Sequence, residues 1–412
     1  MSSISLQAPN HQSPMHLQGS ITLNGSKSIS NRLLIIQSLC EQTFQIKNLS
    51  NAKDTVILQT LLTKIEDPLL DAGDAGTSYR FLTAMLALRG NNQFLIGSKR
   101  MCERPIGVLV NALNELGANV VYAGSVGFPP LNLKEHDAAS WGCRVHMGAH
   151  VSSQFISALL LIGPLMPNGI ELILEGKIIS RPYIQMTLNL MDRFGILSVW
   201  NKNMIKVPPQ NYTAIDCKVE ADWSAASYFY SFAALSQESS LQLNGLYRDS
   251  VQGDAVVAEL MTKFGIETTY NEQGVFIEKK GSIVDKFYHD FSDCPDLAQT
   301  FAVLCAAMNI EAELTGLDTL SIKETDRIAA LYTELTKLGC HVVISSNSLI
   351  ITKGIDNRCQ KVQIDTYNDH RMAMSFAPLC LILEELVFDD KQVVSKSYPD
   401  FWNDLAAIGI VH

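Results

Sequence analysis

Two carboxylates in the chain stand where proton transfer could be done. Asp296 follows Pro295 in DCPDLAQTFAVL, at the start of a helical pattern, and Glu324 lies between Lys323 and Arg327 in SIKETDRIAA. A side chain placed to give or take a proton is worth about 10²- to 10⁴-fold in rate. Each residue also has a structural reading. An Asp in a first helical turn complements the dipole, and Glu324 could simply pair with a neighbouring cation. On residue types alone the two readings stand about even. His370, beside Arg371, is a weaker candidate, because a lone histidine is more often a satisfied structural group. No Ser–His–Asp order and no metal-ligand spacing is present, and the other histidines are isolated.

A second set of residues could hold anions. NGSKSISNRLLIIQSL, DAGDAGTSYRFLTAML and HVSSQFISALLLI each put small or hydroxylic residues directly before a helical apolar run. A helix N-terminus carries unpaired N–H groups and the positive end of the dipole, worth about 0.3 to 1 kcal/mol to an anion. Ordinary capping by Ser or Thr is the favoured reading of any one such segment, by roughly two to one. Nearby cations shift that balance: Lys27, Arg32, Arg80, Arg104 in CERPIG, Lys323, Arg327, Arg371 in YNDHRMAM and Lys396 in SKSYPDFW. If several converge, each charge-assisted bond to phosphate or carboxylate contributes about 1.5 to 3 kcal/mol. Two nucleotide motifs are excluded. A serine separates Gly25 from Lys27, which spoils a P-loop, and Gly73 to Gly76 lacks the dinucleotide spacing, with no clear strand before it.

Composition narrows the class. A formal charge of −10 argues against nucleic acid, so cations must be concentrated locally if the ligands are anions. The N-terminal stretch lacks a signal-peptide pattern. The longest apolar run, near Phe155 to Met166, is broken by Ser157, Gly163 and Pro164, so no membrane span is expected. Nine scattered cysteines without a C-x-x-C pair, Cys359 among them, read as small buried hydrophobes in a reducing cytoplasm.

The elements that must position these groups repeat. NALNELGANVVY, MDRFGILSVW, MTKFGIETTY and ELTKLGCHVVIS each read as an amphipathic helix, a glycine and a strand, and DLAAIGIVH closes the series in degenerate form. Gly117, Gly195, Gly265 and Gly339 recur every 70 to 80 residues, a period too long for a solenoid and suited to an α/β unit repeated about six times. A first copy, TLLTKIEDPLL, looks truncated. The pattern breaks before Lys27 and again near Val219 to Ser224, which predicts a discontinuous domain of residues 1–24 with 222–412 and a second of residues 25–221.

Taken in order, GSKSISNR, AGTSYR, ERPIG, SSQF, SRPYI, PDLAQT, KETDR, NDHRMAM and SKSYPD resemble the 5-enolpyruvylshikimate-3-phosphate synthases over essentially the whole chain. The resemblance implies an α/β fold of two similar domains, each of three βαβαββ units in an inside-out α/β barrel, with the active site in the interdomain cleft. It implies a cytoplasmic shikimate-pathway transferase of aromatic amino acid biosynthesis that moves the carboxyvinyl group of phosphoenolpyruvate to 3-phosphoshikimate, with no cofactor and no metal. A monomer is the default expectation. Lys27, Ser28, Arg32, Ser152, Ser153, Gln154, Ser180, Tyr183, Asp296 and Lys323 would bind 3-phosphoshikimate. Lys27, Gly76, Arg104, Gln154, Arg327, Arg371 and Lys396 would bind phosphoenolpyruvate. Asp296 would be the base, Glu324 the acid, and Lys27 a further catalytic group. Gly76 matches the form associated with glyphosate sensitivity.

The chain departs from the family at several points: Asp74 stands where Asn is usual, Thr319 and Ser321 replace Asn and Arg, and residues 54–71 are few. The nearest rival shares the fold and acts on UDP-N-acetylglucosamine through a loop cysteine. Here Cys102 is the sole cysteine in that region, inside the E-R-P-I turn. A non-catalytic anion-binding protein on the same scaffold is the rival of another class.

Overall fold

The computed structural model describes residues 2–7, 16–137, 141–149, 152–356 and 361–410. The chain forms two compact units, residues 1–25 with 220–412, and residues 26–219.

One strand topology serves both units. In the second unit Leu69–Asp71 runs parallel to Gln93–Ile96, which pairs antiparallel with Leu131–Lys134, itself antiparallel to Asn119–Tyr122. Arg144–Gly148, Ile170–Glu175, Met204–Val207 and Val199–Asn201 repeat that order. In the first unit His16–Thr22, Glu238–Asn244, Gly274–Ile283 and Phe264–Tyr270 do the same, as do Lys286–Asp290, Glu311–Thr315, Leu349–Lys353 and His341–Ile344. A parallel pair needs a helical crossover and an antiparallel pair only a hairpin, so this order is what a βαβαββ segment makes. Among the described residues the third sheet is shorter: Cys217–Lys218 with Ile46–Lys47 in one unit, and three strands in the other.

The two helices of a segment differ in kind. The first is apolar nearly all round and lies inside: eleven of the fourteen residues of Gly76–Arg89 are buried, nine of ten in Ser153–Ile162 and ten of eleven in Ala298–Met308. The second, such as Gly107–Leu116 or Arg327–Lys337, is amphipathic and buries one stripe. Within each unit the inner helices pack on one another and the sheets lie outside them.

The glycine stops form as predicted after Gly107–Leu116, Arg181–Arg193 and Arg327–Lys337. MTKFGIETTY differs. The helix there is only Val257–Leu260 with a 3₁₀ turn at Met261–Lys263, and Gly265 already lies inside the strand, at a register shift. The expectation that no strand precedes Gly73 is corrected by Leu69–Asp71, a strand of three residues too short to show as a pattern. Eight cysteines are free thiols, four of them buried, while Cys359 lies outside the described residues.

Candidate active site

In the second unit three helix starts carry the predicted anion-binding residues. Lys27–Leu39 begins at Ser26 and Gly76–Arg89 at Ala75, and neither has a side-chain cap. Ser26 Oγ is buried without a hydrogen-bond partner, so the capping reading does not hold there. Ser153–Ile162 is capped, by Ser152 Oγ accepting from Gln154 N. A helix start without a side-chain cap is one at which a ligand anion can take the cap's place.

Arg32 is the most buried of the cations here, and its guanidinium ties three helices together. Nε donates to Thr187 Oγ1 at 2.7 Å, Nη1 to the Ser28 carbonyl at 2.9 Å, and Nη2 to Ser157 Oγ at 3.0 Å and the Tyr183 carbonyl at 3.3 Å. All are neutral oxygens. Burial without a carboxylate partner pushes its pKa down to about 10, still fully charged at neutrality. Ser180, next to this cluster, is a buried non-glycine residue held left-handed at φ 53°, a conformation that surrounding structure must enforce. Tyr183 follows on the same helix.

Gly76 explains itself by space. A Cβ there would lie 2.6 Å from Arg104 Nη1 and 2.7 Å from Arg80 Nη1. Two guanidinium groups thus end against the same helix start, Arg80 Nη1 donating to the Gly76 carbonyl at 2.8 Å, and together they concentrate positive charge there. Gln154 Nε2 donates to Thr77 Oγ1 at 3.0 Å, joining the third helix start to the second. Lys27 Nζ lies 3.5 Å from Asp54 Oδ2, a buried carboxylate that the sequence reading missed. Asp74 is exposed, and its carboxylate accepts from Ser98 Oγ, the cap of the short helix that leads to Arg104.

In the first unit the predicted acid and base meet on one buried guanidinium. Arg327 Nη1 is 3.2 Å from Asp296 Oδ1, and Nη2 is 3.1 Å from Glu324 Oε2. Its Nε is 2.7 Å from Asp369 Oδ2, a fully buried carboxylate also missed by the sequence reading, although the NDHRMAM phrase contains it. Burial works against the charge on Arg327, but Asp369, Glu324 and Asp296 together push its pKa up. Arg371 Nη2 is 2.9 Å from Asp296 Oδ2, Lys323 Nζ is 3.8 Å from Asp296 Oδ1, and Lys396 Nζ is 3.4 Å from Glu324 Oε1. Burial lowers the pKa of Lys323. His370 is buried within the helix that presents Arg371.

Every predicted site residue is described, and within each unit they fall into one neighbourhood. In the second unit the cations gather at helix starts, with the Asp54 carboxylate beside Lys27. The first supplies two carboxylates braced by four cations.

A family model described as EPSP synthase (3-phosphoshikimate 1-carboxyvinyltransferase) matches residues 11–67 and 56–405. A 3-phosphoshikimate 1-carboxyvinyltransferase of Bacteroides fragilis (strain YCH46) is 45% identical over 399 residues, covering 96% of each chain. That of Herminiimonas arsenicoxydans is 35% identical over 433 residues, again 96% of each. A solved structure of EPSP synthase from Acinetobacter baumannii matches with a TM-score of 0.80 at 20% identity, covering 100% of both chains, which bears on the fold.

Proposed function

The chain belongs to the EPSP synthase family, and from that premise we propose that it transfers the carboxyvinyl group of phosphoenolpyruvate to the 5-hydroxyl of 3-phosphoshikimate and releases phosphate. The observation that carries this reading is the pair Asp296 and Glu324 on opposite terminal nitrogens of Arg327. An addition that protonates one carbon while deprotonating a hydroxyl needs two carboxylates held apart in fixed relation.

Phosphoenolpyruvate becomes electrophilic at C2 when C3 is protonated. In the proposed mechanism Glu324 gives that proton and Asp296 takes the proton of the attacking hydroxyl. Arg371, Arg327 and Lys323 keep Asp296 ionised, as a base must be. Glu324 gains its proton when the ligand's negative charges arrive beside Lys396 and Arg327 and compete for them. As the tetrahedral adduct collapses, Glu324 takes back a C3 proton, the C2–O bond to phosphate breaks, and the departing phosphate receives the proton from Asp296. Lys27, Arg104, Arg327, Arg371 and Lys396 serve phosphoenolpyruvate, Gly76 leaving room for Arg104, and stabilising its departing charge is where such cations act most strongly. Lys27, Ser28, Arg32, Ser152, Ser153, Gln154, Ser180, Tyr183 and Lys323 serve 3-phosphoshikimate, with Lys27 and Gln154 touching both ligands. Asp54 and Asp369 are positioning residues, for Lys27 and Arg327. Among the described residues no helix is long and apolar enough to cross a membrane, and the enzyme is proposed to act as a cytoplasmic monomer.

The test is phosphate release from phosphoenolpyruvate with 3-phosphoshikimate as acceptor, run against UDP-N-acetylglucosamine. Turnover with the first acceptor alone is expected. Asp296→Asn and Glu324→Gln should each lower kcat by at least about 10²-fold with ligand binding largely kept. Near-normal turnover in both variants would remove the acid–base assignment.

A further inference from the structure

A further carboxylate lies behind Arg371, outside the roles assigned above. Asp254, on the 3₁₀ turn Gly253–Val256, is 3% exposed. Its Oδ2 accepts from Ser224 Oγ, and its Oδ1 is buried with no hydrogen-bond partner. Ser224 Oγ in turn lies 3.5 Å from Arg371 Nη2, the same nitrogen that is 2.9 Å from Asp296 Oδ2. The polarity of the chain is fixed: the guanidinium donates to the serine oxygen, and the serine proton goes to Asp254. Arg371 is therefore shared between a carboxylate in the site and one buried behind it.

An ionised carboxylate oxygen buried without a donor is costly, whereas the same oxygen in a carboxylic acid is tolerable. The charged and titratable groups around Asp254 are Asp222 at the cap of Trp223–Leu235, Cys294 and Asp296 on the segment leading into Ala298–Met308, and Arg371 on His370–Phe376. Burial and the charge of Asp296 push the Asp254 pKa up to about 7, against the opposing pull of Arg371 and Ser224.

We propose that Asp254 is a positioning residue for Arg371: protonated, it leaves the guanidinium to Asp296 and to phosphoenolpyruvate, and ionised, it draws the guanidinium away through Ser224. The proposal rests on the functional reading above for the identity of the ligand. It adds a pH control that the acid–base pair itself does not supply.

The experiment compares wild type, Asp254→Asn and Ser224→Ala between pH 6 and 8. The ratio of the wild-type KM for phosphoenolpyruvate to that of Asp254→Asn should rise about tenfold across that range, as expected for one ionisation near 7. The ratio cancels the ligand's own titration. The kcat of Asp254→Asn should stay within about threefold of wild type at pH 6, where both side chains are neutral and leave Arg371 in the site. Ser224→Ala, which cuts the link and keeps the carboxyl, should flatten the profile as Asp254→Asn does. Infrared difference spectra should show a protonated carboxyl band at pH 6 that is absent in Asp254→Asn, a readout independent of turnover. If wild type fails with 3-phosphoshikimate, the functional reading falls, and the Kd of phosphoenolpyruvate from calorimetry still gives the ratio. A constant ratio, an unchanged profile in Ser224→Ala, or a band that survives Asp254→Asn would each overturn the role of Asp254.

Discussion

Gly76 is the residue at which space and charge meet most closely. Replacing it with Ala would ordinarily favour a helix, because Ala is the better helix former by about 1 kcal/mol. Here the added methyl would press on Arg104 Nη1 and Arg80 Nη1, the far ends of long side chains that must shift to make room. The expected result of Gly76→Ala is unchanged or slightly raised stability with a KM for phosphoenolpyruvate higher by about tenfold, near 1.4 kcal/mol of binding. Inhibition by glyphosate, expected to compete with phosphoenolpyruvate in the wild type, should weaken by at least as much. Steady-state kinetics with and without the inhibitor, beside a thermal melt, check both halves. A large fall in Tm with unchanged KM would mean that the two arginines are structural and not ligand-facing.

At the scale of elements, the repeat carries the site because each inner helix starts at the same end of its segment. Where an amphipathic helix of ordinary length precedes the glycine, the stop is legible from the sequence. It fails at Gly265, since the helix before it is one turn long and strand pairing claims the glycine instead. The strand before Gly73 was hidden for a similar reason: three residues carry no period. Gly339 tests the stop itself. Its φ is +81°, and a Cβ would lie 3.1 Å from Asp356 Oδ1. Gly339→Ala should cost about 1 to 2 kcal/mol, with Tm lower by a few degrees and kcat at 25 °C unchanged. The same limit governs the site. Lys27, Arg104, Asp296 and Glu324 were legible because each sits in a local phrase. Asp54 and Asp254 lie in no such phrase, and Asp369 lies in one that does not mark it, because what matters in these three is a partner 27, 30 and 42 residues away, and pairing over such distances is a property of the packed units.

The whole molecule carries a net charge of −10, yet buries Arg32, Arg80, Arg104, Arg327 and Arg371. Such burial is tolerable only with compensation, and in the first unit carboxylates supply it, with Asp254 in excess of those that pair directly with an arginine. Stability should record that excess. Burial pushes the Asp254 pKa up to about 7 from an ordinary 3.8, so between those values the native state keeps a proton that the unfolded chain has released. Stability from this group therefore falls as pH rises from about 4 to 7 and stays low above that. Asp365 runs the other way. The Lys337 ammonium holds its pKa below the ordinary value, so its contribution is present at neutrality and is lost as pH falls through the acid range. Wild type should lose stability on both sides of a weakly acidic optimum. Asp254→Asn removes the neutral-side loss alone, because the amide keeps the acceptor for Ser224 and cannot ionise. Its gain over wild type in urea unfolding should be about 2 to 3 kcal/mol larger at pH 8 than at pH 5, while the acid-side decline is shared by both proteins. A gain of equal size at the two pH values would place the cost of Asp254 in its packing and not in its charge.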